Sequence, residues 1–128
     1  MEDATPRAQG VRLLVVDDHR DSAEALAMLL RRSGFEVDVA HDGLEAVEAA
    51  QRLRPAAILL DLRLPVLDGF AACRRIREEP WGKKIFLIAH TGLGSREEKR
   101  RAIDAGFDAH LTKPLDPVAL RQLLAHLS

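Results

Sequence analysis

Short apolar runs alternate along the chain with longer segments in which apolar residues recur every three or four positions. Short runs bounded by turn residues are typical of buried strands, and the longer periodicity is typical of amphipathic helices. The predicted strands are residues 11–16, 35–40, 56–61, 84–90 and 107–112. Because each strand is followed by a helical segment, the pattern predicts an α/β fold with a mostly parallel sheet covered by helices on both faces.

Capping residues and breakers set the expected helix boundaries. The predicted helices begin at Asp21-Ser22, at Leu44, at Asp68 or Gly69, after Ser95 and at Asp116-Pro117, and breakers end the first four at Gly34, Pro55, Pro80 and Gly106. Asp21 or Ser22 is the expected cap of the first helix, and Ser95 with Glu98 forms an expected capping box at the start of the fourth.

Two of the predicted helices differ in the apolar surface that they offer. In the second helix Leu44, Val47 and Ala50 are expected to face inward. The fourth helix has little to bury besides residues 102, 103 and 105, so we expect it to be weakly anchored and able to move.

The 128 residues predict one domain over residues 11–128, preceded by a flexible tail of residues 1–10. The net charge of −1 gives no basis for direct nucleic-acid binding. No apolar run approaches the roughly 20 residues of a membrane span, and no signal-peptide pattern opens the chain. The single cysteine fits a reducing compartment, so a cytoplasmic location without membrane association is expected.

Polar side chains stand where predicted strands end: Asp17-Asp18, Asp61, Thr91 and Lys113. The carboxyl ends of parallel strands share one edge of the sheet, which is where open α/β sheets bind ligands. Each residue taken alone also has a simpler explanation, as a residue that starts a helix or loop or as a solvated side chain. Their joint position favours a functional site.

Three carboxylates close together repel one another, so a divalent cation is the natural occupant of such a site. Mg²⁺ prefers oxygen ligands and commonly shares its site with a phosphate. An ionised Asp61 could then attack a phosphoryl group in line, which would give an aspartyl phosphate. Lys113 and Thr91 would supply a positive charge and a hydroxyl to the phosphoryl oxygens.

The chain resembles the receiver domains of two-component response regulators over residues 11–127. The matching segments are Val15-Val16-Asp17-Asp18, Asp61-Leu62-Arg63-Leu64-Pro65 with Asp68-Gly69, Ala89-His90-Thr91-Gly92 and Leu111-Thr112-Lys113-Pro114. Residues 80–82 and 105–110 look especially like receivers fused to hybrid histidine kinases. The resemblance implies a flavodoxin-like (βα)5 fold with strand order 2-1-3-4-5, and a Lys113-Pro114 peptide that is often cis in the family.

The resemblance also implies the residue roles. Asp61 would be the phospho-acceptor, and the donor would be a phosphohistidine on a histidine kinase or histidine phosphotransfer protein. Thr91 and Lys113 would contact the phosphoryl group. The implied Mg²⁺ ligands are Asp18, Asp61 and the backbone carbonyl of Arg63, with Asp17 acting mainly through water.

A conformational switch is implied as well. Phosphorylation would draw Thr91 inward, and the ring at position 110 would rotate, which would change a partner surface made by the fourth helix, the fifth strand and the fifth helix. His110 stands where Tyr or Phe is usual, so we hypothesise a weaker or pH-sensitive coupling. The simpler alternative is that His110 is a partly exposed spacer.

Two neighbours of these motifs carry expectations of their own. The Arg63 side chain could shield the phosphoryl group or pair with it. His90 is expected to be a core histidine with a satisfied hydrogen bond.

The predicted function is a signalling domain that catalyses its own phosphorylation and dephosphorylation, not an enzyme with turnover on other substrates. A phosphatase of the dehalogenase type would carry a second Asp where Arg63 stands. A nucleotide- or flavin-binding domain would need a glycine-rich loop after the first strand, where residues 17–20 are Asp-Asp-His-Arg. A receiver-like scaffold that binds partners without phosphorylation stays open. So do a stand-alone regulator and a piece of a longer protein with a fused or separate output domain.

Overall fold

The structure is a computed structural model that describes residues 10–92 and 94–127. One parallel sheet has the strand order β2-β1-β3-β4-β5. Its strands are β1 (Arg12–Val16), β2 (Glu36–Ala40), β3 (Ala57–Asp61), β4 (Phe86–Thr91) and β5 (Ala109–Thr112). The predicted fold and strand order are confirmed. Of the predicted tail, only Gly10 belongs to the described residues, so the tail stays a prediction.

Helices cover both faces of the sheet and alternate with the strands. They are α1 (Arg20–Arg32), α2 (Gly43–Leu53), α3 (Gly69–Glu78), α4 (Arg96–Ala105) and α5 (Pro117–Leu124), with 3₁₀ turns at Pro80–Gly82 and Ala125–Leu127. No helix in the described ranges is both long and apolar enough to cross a membrane.

Two apolar layers make the core, one on each face of the sheet. Alternate residues of a strand point to opposite faces, so Ile58 and Leu60 of β3 pack under α2, α3 and α4. Ala57 and Leu59 of the same strand pack under α1 and α5. Because β3 lies at the centre of the sheet, all of its residues, including Asp61 at its end, are buried.

Side-chain caps begin four of the helices, and two of these, Ser95 and Asp116, were expected from the sequence. The capping bonds run from Glu45 N to Asp42, from Ala71 N to Asp68, from Glu98 N to Ser95 and from Val118 N to Asp116. Helix α3 also lies close to the end of β3. A Cβ at Gly69 would lie 2.3 Å from the Asp61 carbonyl oxygen, so glycine is required for this approach.

Two local predictions were wrong. Helix α1 begins one residue before Asp21, with His19 as its N-cap and no side-chain capping bond. The reason is that the Asp17 carboxylate accepts from the His19 amide at 2.9 Å and shapes the turn before the expected cap. In α2, Leu44 is 39% exposed, because the small residues Ala46 and Ala49 form the buried face in its place.

Candidate functional site

The Asp61 carboxylate lies at the carboxyl end of β3 and is only 4% exposed. Lys113 Nζ donates to its Oδ2 at 2.6 Å, and the Arg63 amide donates to its Oδ1 at 3.0 Å. Both oxygens therefore have a donor, one of them a full positive charge. This compensates the burial of the carboxylate and fixes its orientation.

Lys113 follows β5, the edge strand that lies two positions from β3 in the sheet. Its amide donates to the Thr91 carbonyl at 2.7 Å, which continues the pairing of β4 with β5 by one residue. The following peptide, Lys113-Pro114, is cis, as the resemblance implied. The Nζ atom of Lys113 also lies 3.9 Å from Asp17 Oδ2. One ammonium group thus links residues from the ends of β1, β3 and β5.

The two acids after β1 form a cluster with a histidine that the sequence did not predict as a site residue. His19 Nδ1 lies 3.4 Å from Asp17 Oδ1 and 3.3 Å from Asp18 Oδ1. The ligand atoms of these three residues all lie within 4.8 Å of one another. Asp17 is buried and Asp18 is exposed, so the cluster spans the wall and the mouth of the cleft.

The donors at this edge fit a hard cation. Carboxylate oxygens are the ligands that Mg²⁺ prefers, and Asp17 and Asp18 offer them within one cluster. Asp61 adds a third carboxylate, which shares the Lys113 ammonium group with Asp17. Aspartate oxygens rather than soft thiolates line the site, and Cys73, the single cysteine, is buried in α3.

Thr91 is fully buried at the end of β4 and contacts a residue that the sequence did not place in the site. Its hydroxyl donates to Glu98 Oε1 at 3.1 Å, while the Arg63 guanidinium donates to Glu98 Oε2 at 3.2 Å. Glu98 was expected to close the capping box of α4. Ser95 Oγ does accept from the Glu98 amide, but none of the hydrogen bonds found in the described ranges joins the Glu98 carboxylate to the Ser95 amide.

Among the described residues, the contacts of the predicted site residues therefore fall into two groups. In the first group, Lys113 contacts both Asp17 and Asp61. Asp18 joins this group through His19, which contacts Asp17 and Asp18. Thr91 and the Arg63 side chain meet at Glu98. The Arg63 amide, which binds Asp61, connects the two groups.

The pKa values of two histidines next to this site are lowered, which favours their neutral form. The pKa of His90 is lowered, mainly by burial and then by the positive charge of Lys113. The pKa of His110 is lowered by burial and by Lys99. The Nε2 atoms of both rings are buried without a hydrogen-bond partner among the described residues. His90 lies in the core as expected, and Nε2 is not the atom that makes the hydrogen bond expected of its ring.

A groove of about 220 Å³ opens beside the site, between the start of α1 and the loop after β5. Asp17, His90 and Lys113 line its inner wall, and His19, Ser22 and Leu115 lie among the residues around it. The groove leads from solvent to the ammonium group that binds Asp61.

Comparison with known proteins identifies the family. The profile of the family described as "Response regulator receiver domain" matches residues 13–125. The response regulator MprA of Mycobacterium ulcerans is 41% identical over 117 residues, which are 91% of this chain and 48% of that protein. The chain therefore spans about half the length of the curated relatives it matches.

Solved structures agree with this result. The receiver domain of a sensor histidine kinase from Pseudomonas aeruginosa, crystallised with magnesium in its active-site cleft, superposes with a TM-score of 0.84 at 35% identity. That match covers 91% of this chain and 96% of the other. The chemotaxis protein CheY4 of Vibrio cholerae gives a TM-score of 0.85 at 30% identity and covers 92% and 98%. The chain belongs to the receiver domains of response regulators, the signalling modules of two-component systems.

Proposed function

We propose that this domain accepts a phosphoryl group on Asp61 from a phosphohistidine of a histidine kinase or histidine phosphotransfer protein. The observation that carries the proposal is the buried Asp61 carboxylate with Lys113 Nζ at 2.6 Å, at the edge of the sheet where β1 also presents two acids. A carboxylate that is oriented and close to a fixed cation has the properties of a nucleophile for phosphoryl transfer.

The chemistry assigns a role to each residue of this group. A carboxylate oxygen of Asp61 forms the new bond to phosphorus. The bond from phosphorus to the donor imidazole nitrogen breaks, and that nitrogen keeps the electron pair. The Lys113 ammonium group, which already binds Asp61, and the Thr91 hydroxyl, once it turns to the site, stabilise the charge on the phosphoryl oxygens.

Asp17, Asp18, Asp61 and the backbone carbonyl of Arg63 are the groups that would hold Mg²⁺. The cluster formed by Asp17 and Asp18 supports this assignment, and so does the magnesium ion in the cleft of the Pseudomonas aeruginosa receiver domain. When bound, Mg²⁺ supplies positive charge that shields the carboxylates from the incoming phosphoryl oxygens.

The output is a change in the surface made by α4, β5 and α5, with Thr91 and His110 as the residues that respond to phosphorylation. Ile103 on this surface is 71% exposed, which fits a contact surface for another protein. Relatives place such domains in different settings, since one solved neighbour belongs to a sensor histidine kinase and another to a DNA-binding response regulator of Colwellia psychrerythraea. The domain would signal through a fused or separate output partner and not by turnover of a substrate.

Intact-mass spectrometry after incubation with acetyl phosphate tests the proposal. The native chain should gain one phosphoryl group when Mg²⁺ is present and none when it is chelated. Asp61→Asn should gain none, while Asp104→Asn, which changes an exposed acid of α4, should behave as the native chain does. A folded native chain that stays unmodified, also with a phosphorylated histidine partner, would support the scaffold alternative.

A further inference from the structure

The Glu98 carboxylate is buried in the first turn of α4, where it binds one residue from each of two strand ends. It accepts from the Thr91 hydroxyl at the end of β4 and from the Arg63 guanidinium just after β3. A glutamate at this position of a helix with a serine cap normally binds the cap's own amide. Here the carboxylate is directed to the site instead, so its role is not explained by the capping of α4.

We propose that Glu98 is a positioning residue that restrains the unphosphorylated state by holding Thr91 and Arg63 against the start of α4. The inference rests on the proposed function of Asp61 for its consequence, although the restraint itself acts in the unmodified protein. Contacts of Thr91 and Arg63 with a phosphoryl group on Asp61 then exclude their contacts with Glu98 at the start of α4.

The Thr91 hydroxyl can donate only one hydrogen bond at a time. A threonine hydroxyl has one hydrogen to donate, and in this structure that hydrogen points to Glu98 Oε1. A phosphoryl group on Asp61 needs the same hydrogen. The two bonds therefore cannot exist together, and phosphorylation must break the contact between Thr91 and Glu98.

The Arg63 contact adds to this competition. A guanidinium group has five donors and binds phosphoryl oxygens well, and the Arg63 amide already contacts Asp61. If Thr91 and Arg63 both turn to the phosphoryl group, Glu98 is left as a buried carboxylate without these partners, which is costly. Movement of the first turn of α4 into water relieves that cost.

The rest of α4 is anchored differently, and this locates the movement. Ala102 and Ala105 are buried, the Cys73 thiol donates to the Ala105 carbonyl at 3.3 Å, and Arg101 lies 4.1 Å over the Phe70 ring. These contacts hold the second half of the helix. In the first half, Glu98 is the buried side chain, so loss of its contacts releases the N-terminal turns before the C-terminal ones.

Hydrogen exchange on the unphosphorylated protein tests the restraint directly. We expect Glu98→Ala to raise the exchange rates of amides 99–101 by about tenfold, as the loss of a buried charged hydrogen bond implies. The methyl resonance of Thr91 should shift at the same time. Glu97→Ala removes an exposed glutamate from the same helical turn and should change neither. Equal exchange rates in the two variants would overturn the proposal.

Glu98→Gln separates the two contacts. Glutamine keeps an oxygen that accepts from the Thr91 hydroxyl but loses the charge that binds Arg63. Because the Arg63 side chain is 67% exposed, its ion pair contributes less than the buried bond. The increase in exchange should therefore be clearly smaller in Glu98→Gln than in Glu98→Ala. An equal increase would contradict the assignment of the main contact to Thr91.

Phosphorylation by acetyl phosphate tests the competition. Glu98→Ala should be modified several-fold faster than the native chain, because Thr91 no longer has to leave Glu98. When Glu98→Ala is added to the Thr91→Ala variant, it should not accelerate phosphorylation relative to Thr91→Ala alone. A rate that is unchanged or lower in Glu98→Ala would overturn the competition. A native chain that takes up no phosphoryl group would contradict the proposed function and this step together, and hydrogen exchange would still decide the restraint.

Discussion

Helices α3 and α4 lie side by side on one face of the sheet, and each begins next to a residue of the site, yet they are attached in different ways. Helix α3 buries Phe70, Cys73 and Ile76 in the core. Helix α4 buries two alanines and one glutamate, and leaves Ile103 exposed. Because burial of apolar area stabilises by about 25 cal/mol per Å², the two helices differ strongly in anchoring free energy.

The polar contacts increase this difference. Helix α3 is anchored by contacts with groups that have no proposed role at the phosphoryl group. Gly69 packs against the backbone at the end of β3, and Arg77 binds backbone carbonyls beyond the helix. The start of α4 is tied to Thr91 and Arg63, two residues with proposed roles at the phosphoryl group. The comparison shows how one face of a sheet holds a fixed helix that positions the site beside a helix that can respond to it.

The largest expected effect breaks the anchoring of α3. Ile76→Ala should lower the free energy of unfolding by about 2 to 5 kcal/mol, because Ile76 is fully buried and its removal leaves a cavity. Ile103→Ala in α4 should change it by less than about 0.5 kcal/mol. Urea denaturation of both variants measures the difference. Similar losses would show that α4 is anchored as firmly as α3.

The next largest effect concerns Arg77 of α3, whose guanidinium binds backbone carbonyls beyond the helix. Arg77→Met should lower the free energy of unfolding by about 2 to 3 kcal/mol, since several carbonyls lose a charged donor. The groups that the guanidinium binds are the carbonyls of Gly82, Lys83, Ile85 and Gly106 and the carboxylate of Asp108.

Arg74→Met is the matched control for Arg77→Met, because Arg74 is an exposed residue of the same helix. Its unfolding midpoint should stay close to that of the native chain. If both variants lose the same free energy, the contribution comes from the long cationic side chain and not from the carbonyl contacts.

A third prediction compares the two helices without any substitution. In the native protein, amide hydrogens of α4 should exchange at least about tenfold faster than those of α3, because local opening of α4 exposes little apolar surface. Residue-resolved hydrogen exchange measures both helices in one sample. Equal protection would show that they open only in global unfolding, and it would remove the basis for a mobile α4.

The smallest effect concerns pH. The folded protein lowers the pKa of His90 and His110, so below about pH 6.5 the unfolded chain binds more protons than the folded one. The free energy of unfolding should therefore fall as the pH falls through and below that value, and be constant from this cause above it. His90→Leu should make the dependence shallower.

Denaturation of the native chain and His90→Leu at about pH 7.5 and about pH 5.5 checks this sign. His126→Gln, which changes an exposed residue near the carboxyl end, serves as the control. The direction of the His110 pKa shift bears on the hypothesis of pH-sensitive coupling through this residue. Its lowered pKa confines any charge on this ring to acidic conditions.

Cys73 illustrates what burial decides about a reactive group. Burial raises the pKa of the Cys73 thiol to about 12, with a smaller opposing effect of Arg77. The thiol stays protonated at neutral pH and donates to the Ala105 carbonyl. The residue acts as a core contact between α3 and α4.

Strand and helix patterns predicted most of this fold because they depend on local spacing. Strand β3 was placed within one residue, Asp116 was correctly expected as a cap, and α3 begins where Asp68 or Gly69 was expected to open it. The start of α1 was missed because a carboxylate two residues before the cap controls the turn. The orientation of Leu44 was missed because the choice between a large and a small buried face depends on the packed neighbours.

The sequence by itself determined the strand order through the family resemblance, and it placed Asp17, Asp61 and Lys113 at one edge of the sheet. Strand ends share an edge whatever the side chains do, so this follows from topology. Only the tertiary structure decided that Lys113 Nζ binds Asp61 Oδ2 and that the Glu98 carboxylate leaves its cap for Thr91 and Arg63. Such contacts join residues far apart in the chain, and their choice depends on burial and on the number of donors and acceptors within reach, which no local pattern contains.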